Sequence, residues 1–145
     1  MYLLLSPTVR FAALLAAAIS TGAATAEELP AFRAGVWEFN RAMEASATAG
    51  KPQTIQTRQC TSPSDDMKKQ NEMLTKSGCK FSPVTRAGNI YSYSAVCNLT
   101  GASGTSKSEL TVESDSAYLI RIESNLGGTP SREVLRAKRV GDCRP

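Results

Sequence analysis

The chain of 145 residues contains no histidine. That absence removes Ser-His-Asp and Cys-His catalysis, imidazole-ligated metals and the commonest general base. A strong charge of either sign is also missing: 17 Lys and Arg stand against 13 Asp and Glu, a net charge of +4. Such a balance permits weak contact with anionic envelope polymers and gives no footprint for nucleic acid. The close cysteine pairs of structural zinc sites are missing too. The four cysteines, Cys60, Cys79, Cys97 and Cys143, are separated by 19, 18 and 46 positions. No linker, low-complexity run or repeat divides the sequence.

What is present begins with a leader. Arg10 is the only charge in the first 26 residues, Phe11 to Ile19 is an unbroken apolar run, and Ala24-Thr25-Ala26 supplies the small-x-small pattern cut by signal peptidase. The run is shorter than the roughly 20 residues a bilayer span needs, and no cysteine at the cut site invites a lipid anchor. Residues 1–26 are therefore expected to be a signal peptide cleaved before Glu27. Residues 27–145 should be one domain with no stable membrane span, delivered to the periplasm or secreted. All four cysteines lie in that domain, and an even number in an oxidising compartment reads as two disulfides.

Cys79 to Cys97 organises the rest. It reads as a hairpin turning at Ala87-Gly88-Asn89, where Gly88 and Asn89 tolerate positive φ. A turn centred on Gly88 sets Cys79 opposite Cys97. That register favours the pairs Cys79–Cys97 and Cys60–Cys143. The rival arrangement, Cys60–Cys79 with Cys97–Cys143, stays open. It brackets a helix on the order of 22 Å long with a bond that needs Cα atoms within about 7 Å.

Strands with one dry and one wet face are expected from period-two alternation. Trp37, Phe39 and Met43 share one face over Arg33–Met43, and Thr54–Cys60 forms a polar, edge-like strand. Beyond the hairpin, Leu110 and Val112 pair with a wet face of Lys107, Glu109 and Glu113. Tyr118, Ile120 and Ile122 alternate with Arg121 and Glu123, and Glu133–Val140 closes the series. One helix is expected, capped by Ser62, started by Pro63, with Asp65 at a capping-box position and Gly78 as its stop. The fold class is mainly β: a curled antiparallel meander of about seven strands, an open or partial barrel, with one α-helix packed against it.

Candidate chemistry is thin. Glu109 and Glu113 are the obvious carboxylate pair, but their strand positions face water, and Asp65 and Asp66 suit a helix N-terminus. Gly101 to Ser108 lacks the Gly-Lys pair of a phosphate loop. Arg136, Lys138 and Arg139 read as a charged strand that discourages edge pairing. No catalytic residue, metal ligand or cofactor site is expected.

Several short motifs run in order through the mature part: Gly35-Val36-Trp37-Glu38, Cys60-Thr61 followed by Pro63, the Cys79–Cys97 hairpin with Gly88-Asn89, Asp115-Ser116 before Tyr118, and Arg139-Val140-Gly141-Asp142-Cys143. In this the chain resembles the DUF3617 family of exported bacterial proteins, whose function is uncharacterised. The resemblance implies an exported, cysteine-linked, β-rich domain and transfers no catalytic residue.

The function expected from these observations is that of a non-enzymatic periplasmic binding or interaction module. Its partner would be a small apolar ligand or an envelope protein. The dry-face aromatics Trp37, Phe39, Tyr91, Tyr93 and Tyr118 are the candidate groove, on condition that the helix covers them incompletely. An inhibitor of an envelope-active enzyme, presenting Asn125–Pro130 as a protruding loop, and a carboxylate-dependent hydrolase are the alternatives.

Overall fold

The computed structural model describes residues 27–45 and 53–144. The leader read over 1–26 lies outside the described residues. Eight strands and one helix follow an extended N-terminal segment: β1 (Gly35–Ala45), β2 (Gln53–Thr61), α1 (Pro63–Lys76), β3 (Cys79–Phe81), β4 (Thr85–Ala87), β5 (Ile90–Leu99), β6 (Ala102–Ser114), β7 (Ala117–Leu126) and β8 (Thr129–Gly141). They build one sheet in the order β2-β1-β8-β7-β6-β5-β3, with β4 also paired to β5. Every pairing is antiparallel.

Strands β5 to β8 form a meander, and the β1–β2 hairpin docks its first strand on β8. Among the described residues the sheet does not close; its path ends at β2 and at β3. The expected open meander with one helix is therefore the observed fold, with the two ends of the domain brought together by the β1–β8 pair.

The period-two pattern decides which face is dry. Register aligns Phe39, Ala137, Tyr118 and Val112 across β1, β8, β7 and β6. The next row on that face runs Arg41, Leu135, Ile120, Leu110 and Tyr91. Trp37, Tyr91, Leu110, Tyr118, Ile120 and Ala137 from these strands join Phe32 of the N-terminal segment in one buried cluster. Segment 27–34 lies over the end of this face: Arg33 N–H donates to the Asp115 carbonyl at 2.9 Å, and Trp37 Nε1 donates back to the Arg33 carbonyl at 2.9 Å.

Helix α1 starts and stops close to the expected positions, but its N-terminus is built differently. Ser62 is extended, at φ −110° and ψ 102°, and its side chain makes no capping bond. Its carbonyl accepts from Asp66 N–H at 3.0 Å, and the Thr61 hydroxyl donates to the Asp66 carboxylate. The hydroxyl that does the holding is Ser64, the second residue of the helix, which accepts from Phe32 N–H at 2.7 Å and so ties the N-terminal segment to the helix. Pro63 occupies the first turn and is buried, as a residue without an N–H can be at that position.

The central hairpin meets its cysteine register by an unexpected route. Gly88, at φ 62°, and Asn89 form a two-residue turn, so Ala87 faces Ile90 and Arg86 faces Tyr91. Continued unbroken, that register would put Lys80, not Cys79, opposite Cys97. The break at Ser82–Val84 absorbs one residue, after which Cys79 faces Cys97. Ser82 stabilises the break by donating its N–H to the Ser94 carbonyl at 2.8 Å while its hydroxyl accepts from Ser94 N–H at 2.9 Å. The first arm of the hairpin is thus two short strands, β3 and β4, and the strand count rises from seven to eight.

The structure joins Cys79 to Cys97 and Cys60 to Cys143, with Cα separations of 4.0 and 5.5 Å. Cys60 and Cys79 stand at opposite ends of α1.

Candidate functional site

The helix packs against the dry face and leaves part of it open. Between α1 and the β2–β1–β8 wing lies a groove of about 280 Å³. Its apolar lining comes from Phe39 on β1, Ile55 on β2, Ile120 on β7, Leu135 on β8 and Met67 on α1, with Tyr118 at the deep end. Arg41, Thr57, Gln59, Asp66 and Gln70 supply the polar groups. Alternation explains the assembly, since Phe39 faces Thr57 and Arg41 faces Ile55 across the β1–β2 pair, and all four lie on the helix side. Ile55 is 49% exposed, and Met43, one step further along the same face, is 43% exposed. The groove therefore opens onto an apolar margin.

Its electrostatics are mild. Arg41 Nε sits 2.9 Å from Glu133 Oε1, so the guanidinium at the mouth already has a partner. Burial, aided by the Asp66 carboxylate, pushes the Tyr118 hydroxyl up, and the ring presents a neutral phenol. Arg58, whose Nη2 donates to Glu38 at 2.8 Å on the opposite face, holds that carboxyl below the usual carboxylate range.

The five aromatic residues expected to line one groove do not share it. Trp37 is fully buried, and Tyr91 and Tyr118 are 7% and 4% exposed. Phe32 covers this end of the face, with its ring centroid 6.0 Å from that of Trp37 and 4.5 Å from that of Tyr118. Phe39 lines the groove directly. Tyr93 lies elsewhere, beside a wider hollow of about 630 Å³ bounded by Ser82, Thr85, Ser94 and Lys107. Burial pushes its hydroxyl up, with the nearby Ser108 acting in the opposite sense. The residues missed were Phe32, Ile55 and Leu135. Phe32 sits just ahead of the first strand, in a segment whose Leu29, Pro30 and Phe32 form an apolar signal of their own. Ile55 is a single apolar residue in a Thr/Gln-rich strand.

Carboxylates fare as expected on the wet face, with one exception. Glu109 and Glu113 are exposed, and Glu109 lies 3.6 Å from Arg121. Glu133 turns to the helix side, where Arg41 neutralises it. Asn125–Pro130 is no protruding loop: Asn125 faces Pro130 and Leu126 faces Thr129 in the ladder, leaving a tight Gly127-Gly128 turn. Among the described residues, no three Cys, Asp or Glu side chains converge to hold a metal ion, and no helix is long and apolar enough to cross a membrane.

A family model described as a protein of unknown function (DUF3617) matches residues 32–143. The chain belongs to the DUF3617 family. No curated protein and no solved structure matches it.

The geometry gives a physical account of the DUF3617 motifs in this chain, because the first and the last of them interlock. The 13%-exposed Arg139 side chain donates through Nε to the Ala34 carbonyl at 2.9 Å and pairs with Asp142. It crosses directly over Gly35. A Cβ there would lie 2.5 Å from Arg139 Nε and 2.5 Å from the Gly141 carbonyl oxygen. Gly35 makes room, Trp37 anchors the core beneath, and Asp142 holds the arginine. Cys143 then bonds Cys60 on the far side of β1.

Proposed function

We propose that this DUF3617 protein is an exported, non-enzymatic binding module whose groove between α1 and the β2–β1–β8 wing takes a small apolar molecule. The observation that carries the reading is the incomplete cover. Phe32 and its segment cover the Trp37 end of the dry face, and the helix leaves Phe39, Leu135 and Ile55 lining an open groove of about 280 Å³. That size lies at the small end of ligand sites, suited to one alkyl chain or one aromatic ring system. Because Arg41 is already paired with Glu133, selection rests on the apolar portion of the ligand more than on its charge.

Trp37 is a built-in reporter. Its ring stacks on Phe39 at a centroid distance of 6.4 Å, and Phe39 lines the groove. Decanol and decanoate should each give a saturable change in Trp37 fluorescence, with affinities within a few-fold of each other. Ile55→Lys should weaken both at least tenfold while leaving the circular dichroism spectrum unchanged, because Ile55 is half exposed. A flat titration with both compounds would remove the groove as a ligand site. Turnover of peptidoglycan or model esters that Glu133→Gln abolished, with the fold intact, would overturn the non-enzymatic reading.

Export has its own test. The Ala24-Thr25-Ala26 pattern predicts that the protein recovered from the periplasm or medium has the intact mass of residues 27–145 with two disulfides. Retention of residues 1–26 would overturn it.

A further inference from the structure

Strand β2 is a sheet edge with little to protect it. It is nine residues long, all but its last residue are exposed, and no proline lies within it. Natural edges are blunted by proline, bulges, short length or unpaired charge. The only charge on β2, Arg58, is occupied by Glu38 of the neighbouring strand at 2.8 Å. The β1–β2 ladder is regular from Gly35↔Thr61 to Met43↔Gln53, without a bulge. The opposite edge is different. Strand β3 is three residues long and is followed by the break at 82–84, so a head-to-tail β2-to-β3 contact would have almost nothing to grip.

We propose that β2 pairs antiparallel with β2 of a second copy, about a two-fold axis through Thr57, to make one continuous sheet. That register pairs the strand over its full length, from Gln53 to Thr61, whereas an axis at Gln56 would pair only Gln53 to Gln59. With Thr57 facing Thr57, Gln56 faces Arg58, Ile55 faces Gln59 and Gln53 faces Thr61. No like charges meet, and threonine pairs across strands are favourable. Moving the axis to Arg58 would set the two guanidiniums opposite each other. Moving it by half a residue would join the helix side of one strand to the wet side of the other, which the pleat forbids. Isologous pairing of this kind closes on itself at two copies. The contact shares Ile55, Thr57 and Gln59 with the wall of the ligand groove, but it is made by the backbone edge, so its test reads self-association and not ligand binding.

Sedimentation equilibrium of the full mature protein, from low to high micromolar concentration, should show a monomer–dimer equilibrium. Thr57→Lys sets two ammonium groups opposite each other at the axis, and should weaken the dimer at least tenfold. Its circular dichroism spectrum should stay that of the parent. Thr57→Cys should oxidise to a covalent dimer, whereas Gln53→Cys, which faces Thr61 and not itself, should not. A wild-type chain that remains monomeric at all concentrations overturns the proposal. So does a monomer that binds a different protein through β2 and loses it in Thr57→Lys, which would assign the edge to a foreign strand.

Discussion

Replacing Trp37 with alanine should lower the unfolding free energy by about 3–5 kcal/mol, the range for deleting a large aromatic from a packed core. Trp37 has no exposed surface and is the largest of the fully buried side chains. It touches three other rings: Phe32 edge-on at 6.0 Å, Tyr118 at 5.5 Å and Phe39 at 6.4 Å. Its indole N–H also fixes the Arg33 carbonyl, and with it the segment that lies over the sheet. A domain of this size holds roughly 5–15 kcal/mol in all, so the loss is a large share, with a fall in melting temperature on the order of 15 °C. Urea unfolding of the disulfide-intact protein measures it through the midpoint. Phe32→Ala should cost less, because Phe32 covers Trp37 from the solvent side and is itself 7% exposed. A Trp37 loss below about 1 kcal/mol would mean that the N-terminal segment collapses into the gap, and would contradict the rigid packing described above.

Trp37 also marks how far the sequence could be read. Period-two alternation named the dry face because each strand of an antiparallel sheet exposes its own pattern without reference to its neighbours. The Trp37, Tyr118, Ile120 and Leu110 core followed from that. The single helix was read separately, from its capping and stop residues, and the meander from the unbroken succession of strands. What alternation does not contain is which strand lies beside which. The β1–β8 pair joins residues about a hundred positions apart. No local pattern announces it, and the interlock of Gly35, Arg139 and Asp142 is invisible until that pair is made.

The candidate groove was half legible for the same reason. Phe39 was placed on the dry face by alternation alone. The residues that complete the lining, Ile55 and Leu135, come from strands that only the β2-β1-β8 order brings to its sides. Trp37 and Tyr91 left the site because Phe32 and the extended segment before β1 act as a cover, and an extended segment without regular hydrogen bonding has no periodicity to detect. Ser62 failed as a side-chain cap although its type and position fit. Thr61 bonds Asp66 and Ser64 bonds the distant Phe32 instead, and three hydroxyls within four residues leave that competition undecided at the level of sequence.

Removing the Cys60–Cys143 bond by the double substitution Cys60→Ser and Cys143→Ser should cost about 4–5 kcal/mol. Removing Cys79–Cys97 should cost about 3 kcal/mol, both from the loop-closure entropy of the unfolded chain. The difference follows from sequence separations of 83 and 18 residues. The larger bond also does something the smaller does not. Cys97 and Cys79 already face each other across an adjacent strand pair, so their link repeats a contact that the ladder makes. Cys60 lies in β2 and Cys143 two residues past the end of β8, on either side of β1, and their bond closes over the β1 start at Gly35 and Val36. Its loss frees the β2 edge and the C-terminal residues together, and removes support for the Arg139–Asp142 pair over Gly35. Amide hydrogen exchange should therefore rise first in β2 and at the β1–β8 end near Trp37 in the Cys60/Cys143 variant. In the Cys79/Cys97 variant it should rise in β3 and the end of α1 while β1 stays protected. Equal destabilisation by the two variants, with the same exchange pattern, would show that loop entropy alone governs both bonds and that the clamp over β1 contributes nothing.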